Sequence, residues 1–167
     1  MHAYDELAEH GMEFSLAALN EAYEKVVEAL QTSAATRLVK ALQIVQLQKA
    51  VLAVGMFSMF EATLQDKLNC TDGFREAAAR LDARGEAALR ESFSDLQLAI
   101  NVLKHGRGRS YDTLVGKANA LSFRVKLPDE LLFNEGDVSE VPTLIDVDDA
   151  FVRRCAAVIR EVTLALG

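Results

Sequence analysis

The chain has 167 residues, a mass of 18.3 kDa and a formal net charge of −7 at pH 7. Half of its residues are apolar, 26% are charged and two are proline, a composition that excludes disordered and fibrous proteins. This length predicts a single domain, 1–167, whose core needs no disulfide or structural metal. The two cysteines, Cys70 and Cys155, lie far apart, which indicates a reducing cytoplasm. The longest stretch without a charge, 50–60, is shorter than the roughly 20 residues of a membrane span, so we expect no membrane contact.

Helical signals dominate the first two thirds of the chain. Apolar residues recur at steps of three and four, and the second helix is apolar over much of its circumference, as a central buried helix is. Gly106 and Gly108 are expected to end the fourth helix, and Ser110 is expected to cap a fifth. The predicted helices cover about 5–31, 36–68, 74–83, 86–105 and 110–118.

The last third of the chain has a different pattern. Residues 121–147 contain both prolines, Pro128 and Pro142, and β-branched stretches, which predicts a non-helical excursion with at most one small hairpin. A final amphipathic helix begins at Asp146 or Asp148, and acids there cap a helix more commonly than they bind a metal. The expected fold is therefore all-α, a bundle of four to five helices with one excursion before the C-terminal helix.

Acidic and basic residues are separated along the chain. Residues 1–30 carry seven acids against one lysine, and residues 129–149 carry eight acids and no base. Between them, residues 104–126 carry six bases against one acid. We therefore expect an anionic ligand to bind in 104–126, although ordinary surface charge would also give such a cluster.

The predicted helix 86–105 has two apolar faces separated by a polar stripe. Leu98 and Val102 lie on the flank that faces away from the main core. A contact there comes either from another part of this chain or from a second copy, which makes both residues candidates for a homodimer interface. The core face comprises Leu89, Phe93, Leu96, Ile100 and Leu103, and the stripe comprises Arg90, Ser94, Gln97, Asn101 and His105.

The polar stripe ends in the segment 101–110, which reads NVLKHGRGRS. Asn101 and His105 are four residues apart, so the amide is positioned to orient the imidazole. The glycines allow a ligand to approach the backbone closely, and Arg107 and Arg109 can hold phosphate oxygens. The remaining candidate phosphate-binding residues are Lys104, Gly106, Gly108 and Ser110.

This segment resembles the motif of the HEPN superfamily, small helical-bundle domains that are often dimeric and include metal-independent RNA endonucleases. The family motif is an Arg, commonly followed by Asn, with a His four to six residues after the Arg at the end of a long helix. Asn101 and His105 match the Asn and the His, whereas Ile100 stands where the family has Arg. The resemblance covers about ten residues closely and the bundle architecture loosely.

The resemblance implies cleavage of RNA without a metal or cofactor, of the kind found in toxin–antitoxin and defence systems. A 2′-hydroxyl would attack the adjacent phosphate, His105 would act as acid or base, and Arg107 or Arg109 would stabilise the developing charge. Asn101 would complete the catalytic set. The alternative is that His105 only ends its helix, where an imidazole interacts favourably with the helix dipole.

A second class of function also remains open. The chain could be a non-catalytic interaction module, a regulatory subunit or antitoxin-like scaffold, whose Leu98 and Val102 face and acidic first helix dock a protein partner. Ile100 at the position of the family Arg favours this interpretation. We therefore expect a homodimer that binds RNA or a nucleotide, or else a protein partner, with no metal site and no cofactor.

Overall fold

The structure, a computed structural model, describes residues 3–130 and 141–167. Its described residues form six α-helices and one short 3-10 helix, which confirms the predicted all-α bundle. The helix count exceeds the four to five expected for the bundle, and each of the six helices coincides with one of the predicted helical segments. The helices are α1 (Tyr4–Leu30), α2 (Thr36–Leu68), α3 (Gly73–Ala83), α4 (Ala87–His105), α5 (Arg109–Val115) and α6 (Asp149–Leu166), with the 3-10 turn at Ala118–Ala120.

The directions of α1 and α2 follow from their contacts. At the start of α1, the Tyr4 hydroxyl donates to the Met56 carbonyl at 2.6 Å, and its ring stacks on Phe60. Near its middle, α1 reaches Asp149 at the start of α6, through the Asn20 amide at 2.6 Å. Lys49 of α2 lies 2.7 Å from the same carboxylate. The two long helices therefore run in opposite directions.

An aromatic cluster forms the centre of the bundle. Phe93 of α4 is fully buried and contacts the ring of Phe74 edge-on at 5.4 Å between centroids. The rings of Phe57 and Phe60 on α2 each lie 6.3 Å from that of Phe93. Edge-to-face and offset geometries of this kind stabilise a core beyond simple burial. These contacts hold two helices, α2 and α3, against α4.

The C-terminal helix completes the core from the other side. Cys155 is fully buried on its apolar face, and burial raises the pKa of the thiol well above its usual range. Asp148 caps the helix, because its carboxylate accepts from the Phe151 amide at 2.7 Å. Of the two candidate start residues, Asp146 and Asp148, the structure therefore assigns the N-cap to Asp148. In residues 3–130 and 141–167, no group of three His, Cys, Asp or Glu residues could hold a metal.

The excursion before α6 contains one antiparallel bridge within its described residues, 121–130 and 141–147. Val125 pairs with Ile145, and the Lys126 amide donates to the Leu144 carbonyl at 2.9 Å. The predicted hairpin is thus reduced to a single bridge. The remainder of that prediction, 131–140, lies outside the described residues.

Within residues 3–130 and 141–167, one helix, α2, is long and apolar enough to cross a membrane by length and composition, with a mean hydropathy of 1.3 over an 18-residue window. Only 28% of that window is buried. In this bundle α2 packs against α1, α3, α4 and α6. Its apolar composition therefore reflects a core position on one side and an exposed apolar surface on another.

Candidate functional site

The α4 helix presents its predicted core face to the bundle. Phe93, Leu96 and Ile100 are buried, and they pack with residues of the neighbouring helices. The second apolar flank is also covered by this chain. Val102 is only 3% exposed and belongs to the same core, and Leu98 is half-buried against it.

The prediction that Val102 contacts a partner is therefore wrong. The reason is that α5 folds back onto α4 and buries Tyr111 and Leu114. Leu98 is half-buried, so only part of its side chain is accessible to a partner. The sequence left open whether the second contact came from this chain or from another copy, and the structure assigns it to this chain.

A tight turn joins α4 to α5. Gly106 has φ +74°, a conformation that favours glycine, and its amide closes α4 by donating to the Val102 carbonyl at 2.8 Å. On the other side, α5 is held by Tyr111, whose hydroxyl donates to the Lys126 carbonyl at 2.7 Å. Both ends of the turn are therefore anchored in buried structure.

The predicted cap of α5 is wrong. The helix begins at Arg109, Gly108 occupies the capping position without a side-chain bond, and Ser110 lies inside the first turn, half-buried. The helix also ends at Val115 rather than at 118. Added β-carbons at Gly106 or Gly108 would meet nothing within 4 Å, so the backbone of the turn is open to a ligand.

The turn exposes four side chains that can carry positive charge. Lys104, His105, Arg107 and Arg109 are all exposed, and none of them forms an ion pair with a described residue. The Arg107 guanidinium lies 5.7 Å from the centre of the Tyr111 ring, a cation–π contact that leaves its N–H groups available. We call these four residues the basic turn.

The basic cluster predicted over 104–126 is smaller in the structure. Lys117 pairs with Asp95 of α4, and Arg124 lies 3.2 Å from Glu130. Lys126 is buried, with 6% of its surface exposed. Three of the six predicted bases are thus occupied or covered, and the rest belong to the basic turn.

Asn101 and His105 share a side of α4, but in the described structure no hydrogen bond joins them. Asn101 is half-buried, whereas His105 is exposed at the helix end. Ile100, at the position of the family Arg, is 3% exposed. The predicted orientation of the imidazole by the amide is therefore not present in this structure.

Asn101 instead lines a polar cleft of about 440 Å³ beside the turn. The cleft lies between α4, the second half of α2 and the start of α3, and Lys104 stands at its edge. We call it the polar cleft. Its polar lining consists of Ser58, Glu61, Thr71, Asp72, Gln97, Asn101 and Lys104.

Sequence reasoning found only the α4 part of this cleft, as the second half of the polar stripe. The contributions of Ser58, Glu61 and Asp72 come from segments that lie at least 25 residues before Gln97 in the chain. Polar residues on α2 look like ordinary surface positions until the packing of α2 on α4 is known. No signal in the sequence could have joined them.

Comparison of the chain with family models, with curated proteins and with solved structures finds no match.

Proposed function

We propose that this protein is a HEPN-like cytoplasmic protein that binds RNA through the phosphates of its backbone, at the basic turn. The supporting observation is that Lys104, Arg107 and Arg109 are exposed together and free of ion pairs with the described residues. The α1 helix, with seven acids and one lysine, carries the opposite charge. An anionic polymer is therefore attracted to one end of α4.

The chemistry of the basic turn suits a phosphodiester. Arginine binds phosphate through paired N–H groups, and lysine adds a mobile point charge. Three such contacts predict that binding weakens with salt, with a slope of about −2 in log affinity against log salt for a single strand. Contacts of this kind supply affinity but little sequence selectivity.

The polar cleft supplies groups that can contact the rest of a nucleotide. Its amides at Gln97 and Asn101 can pair with base edges, and the Glu61 carboxylate can accept from a ribose hydroxyl. Lys104 belongs both to the cleft and to the basic turn, which places the two ligand regions side by side. A single strand is therefore a better fit than a duplex, whose base edges are occupied.

We propose binding as the function and cleavage as a separate activity that depends on His105. The imidazole is exposed and has no hydrogen bond to a described residue, so it is available to exchange a proton with a bound RNA. Position 100 holds a buried isoleucine, so a cleavage reaction here would lack the family Arg. Arg107 and Arg109 are the arginines near His105 along the chain.

The binding proposal is tested by fluorescence anisotropy with a labelled single-stranded RNA across a range of salt concentrations. The double variant Arg107→Ala/Arg109→Ala should lose about tenfold or more in affinity and lower the salt slope by about one to two. Both arginines are exposed, so the variant should keep the melting temperature of the native chain.

Arg75→Ala is the matched control, because Arg75 is also exposed and has no ion pair with a described residue. Its affinity for RNA should equal that of the native chain. Equal losses in Arg75→Ala and in the double variant would contradict a specific basic turn. Absence of RNA binding by the native chain at low salt would contradict the function itself.

Cleavage is tested with the same RNA, with and without a chelator, on the native chain, His105→Ala and His10→Ala. His10 is an exposed histidine of α1 and serves as the control. If the protein cleaves, the activity should survive chelation and His10→Ala but not His105→Ala. Cleavage that persists in His105→Ala would reject the role of this imidazole.

A further inference from the structure

The first two helices carry an unusual amount of exposed apolar surface. Seven of the nine large apolar side chains that are exposed among the described residues lie on α1 and α2. Four of these residues lie on one side of α2, because they follow one another at steps of three, four and eight. They are Ile44, Leu47, Val51 and Met59, which we call the α2 stripe, and they are 47% to 62% exposed.

An apolar groove extends the α2 stripe towards α1. It has a volume of about 440 Å³ and is lined on the α1 side by Leu7 and Gly11. Gly55 lies within the groove, and a β-carbon added there would meet nothing within 4 Å. The surface thus has a recess at Gly55 between the projecting side chains of Val51 and Met59.

This surface is complementary to itself when two copies of α2 run antiparallel about a two-fold axis at Val51. Leu47 and Gly55 are each four residues from Val51, so the axis places the Leu47 side chain of one copy over the recess at Gly55 of the other. Ile44 of one copy meets the exposed apolar side chain of Met59 of the other, so apolar surface is covered there as well. An isologous interface requires such pairing of projections with recesses.

The charges at the two ends of α2 agree with the same register. Exposed Arg37 and Lys40 lie at the start of the helix, and exposed Asp66 lies near its end. The two-fold axis at Val51 brings Arg37 of one copy near Asp66 of the other, on the same side of the helix pair. Lys67, which follows Asp66, projects about 100° further round the helix and away from the contact.

We propose that the α2 stripe is the interface of a two-fold symmetric homodimer, in which α2 of one copy packs antiparallel on α2 of the other. From Arg37 to Asp66 the helix is about 44 Å long, and α1 and α2 together present a face about 20 Å wide. The covered area is about 900 Å² per copy, which matches the size of a stable protein interface.

A second copy fits this surface better than a lipid bilayer does. Membrane-surface helices carry Lys and Arg beside their apolar face. Here the apolar groove is bordered by α1, whose 27 residues hold seven acids and one lysine. Such a border repels anionic lipid headgroups. The opposite charges at the two ends of α2 instead favour an antiparallel contact with a second copy.

The dimer would also change the polar cleft. Ser58 projects from the edge that the cleft shares with the α2 stripe, and Glu61 lies one turn further along the helix. In the antiparallel register, the first half of α2 of the second copy lies against this edge. The second copy would therefore form one wall of the polar cleft, whether or not the cleft binds RNA.

The proposal is tested first by sedimentation of the full chain between about 1 and about 100 µM. The native chain should sediment at twice 18.3 kDa, and Val51→Glu should sediment as one chain of 18.3 kDa. Leu164→Glu is the matched control, since Leu164 is an exposed apolar residue of α6. The control should keep the native mass, and circular dichroism should show equal helix content in all three proteins.

The register is tested by charge exchange. Arg37→Asp and Asp66→Arg should each raise the dimer dissociation constant about tenfold, because each places like charges at both ends of the interface. The double variant Arg37→Asp/Asp66→Arg should restore the native constant. Only a partner that is a second copy in this register predicts that rescue.

Three results would overturn the proposal. The first is a native chain that sediments as a monomer at the highest concentration. The second is a failure of the double charge exchange to rescue association. The third is a stripe that binds vesicles of phosphatidylserine and phosphatidylcholine, with loss of that binding in Val51→Glu, while the chain stays monomeric. None of these measurements depends on RNA, so a failed RNA-binding proposal leaves the dimer proposal intact.

Discussion

The two halves of α1 share one apolar periodicity but have different surroundings. In the first half, Ala8, Met12 and Leu16 are buried beneath α2 and α6. In the second half, 17–30, no side chain is buried, and the apolar positions such as Tyr23 are only half-covered. The periodicity determines which side of a helix is apolar, but the number of helices packed against that side decides how much of it is buried.

The boundary between the two halves is a polar junction. Asp149 at the start of α6 accepts from the Asn20 amide and pairs with Lys49, whose side chain is 9% exposed. Beyond this point α6 no longer accompanies the hairpin of α1 and α2. The following predictions test whether the well-covered half and the open half differ in stability as this description requires.

The largest effect is expected for Phe93→Ala, in the covered region. Phe93 is fully buried and contacts three aromatic rings, so its truncation should lower the free energy of unfolding by about 4 kcal/mol. Urea denaturation followed by circular dichroism measures it. A loss below about 1 kcal/mol would contradict the central position of this ring.

A smaller effect is expected at the junction for Lys49→Ala. The substitution removes the cation that lies against the Asp149 carboxylate, and should cost about 2 kcal/mol because the lysine is buried and the carboxylate is partly exposed. The same denaturation experiment measures it. Lys25→Ala is the control, since its pair with Glu21 is exposed and its loss should leave the denaturation midpoint close to that of the native chain.

Tyr23→Ala should lower the free energy of unfolding by only about 1 kcal/mol, because its ring is half-covered in the open half of α1. Phe93→Ala and Tyr23→Ala both truncate an aromatic side chain, so the difference between them reports how well each is packed. Unfolding should be measured at a protein concentration at which the chain is monomeric. Equal costs for the two aromatic residues would show that the open half is packed as well as the core.

The smallest effect is expected in the acid dependence of stability. Burial acts to raise the pKa of Asp149, but the Lys49 ammonium and the hydrogen bond from the Asn20 amide outweigh it and hold the pKa below the ordinary value of 3.8. Because the folded pKa is the lower one, the stabilisation is complete above about pH 4 and is lost as the pH falls below it. Melting temperatures of the native chain and of Asp149→Asn should therefore converge on acidification. A constant difference between pH 6 and pH 3 would contradict the shift.

Much of the fold could be predicted from the sequence. The bounds of α2 and the end of α4 agree with the apolar periodicity and with the glycine at position 106, because both signals are local. The start of α5 was missed, since Ser110 has the chemistry of a cap but the chain turns two residues earlier. The bridge between Val125 and Ile145 was foreseen only as a hairpin, because alternation does not give the length of a pairing.

The candidate site was predictable only in part. The exposed residues of the basic turn are neighbours in the chain, so their proximity needed no tertiary contact. The burial of Val102 and the pairing of Lys117 with Asp95 depend on the return of α5 and the following turn onto α4. A helical wheel places Val102 on a separate apolar flank, but it does not say which surface covers that flank.

Local sequence patterns predict the helices, the core face of α4 and the clustering of positive charge at its end, because periodicity and chain proximity act over a few residues. The tertiary structure decided which of the bases remain free, which polar residues of α2 and α3 join α4 in the polar cleft, and which apolar face of α2 stays open. These outcomes depend on how far each helix extends along its neighbours. A short α6 that begins at Asp149 leaves the far end of the α1–α2 hairpin uncovered, and no local pattern encodes that distance.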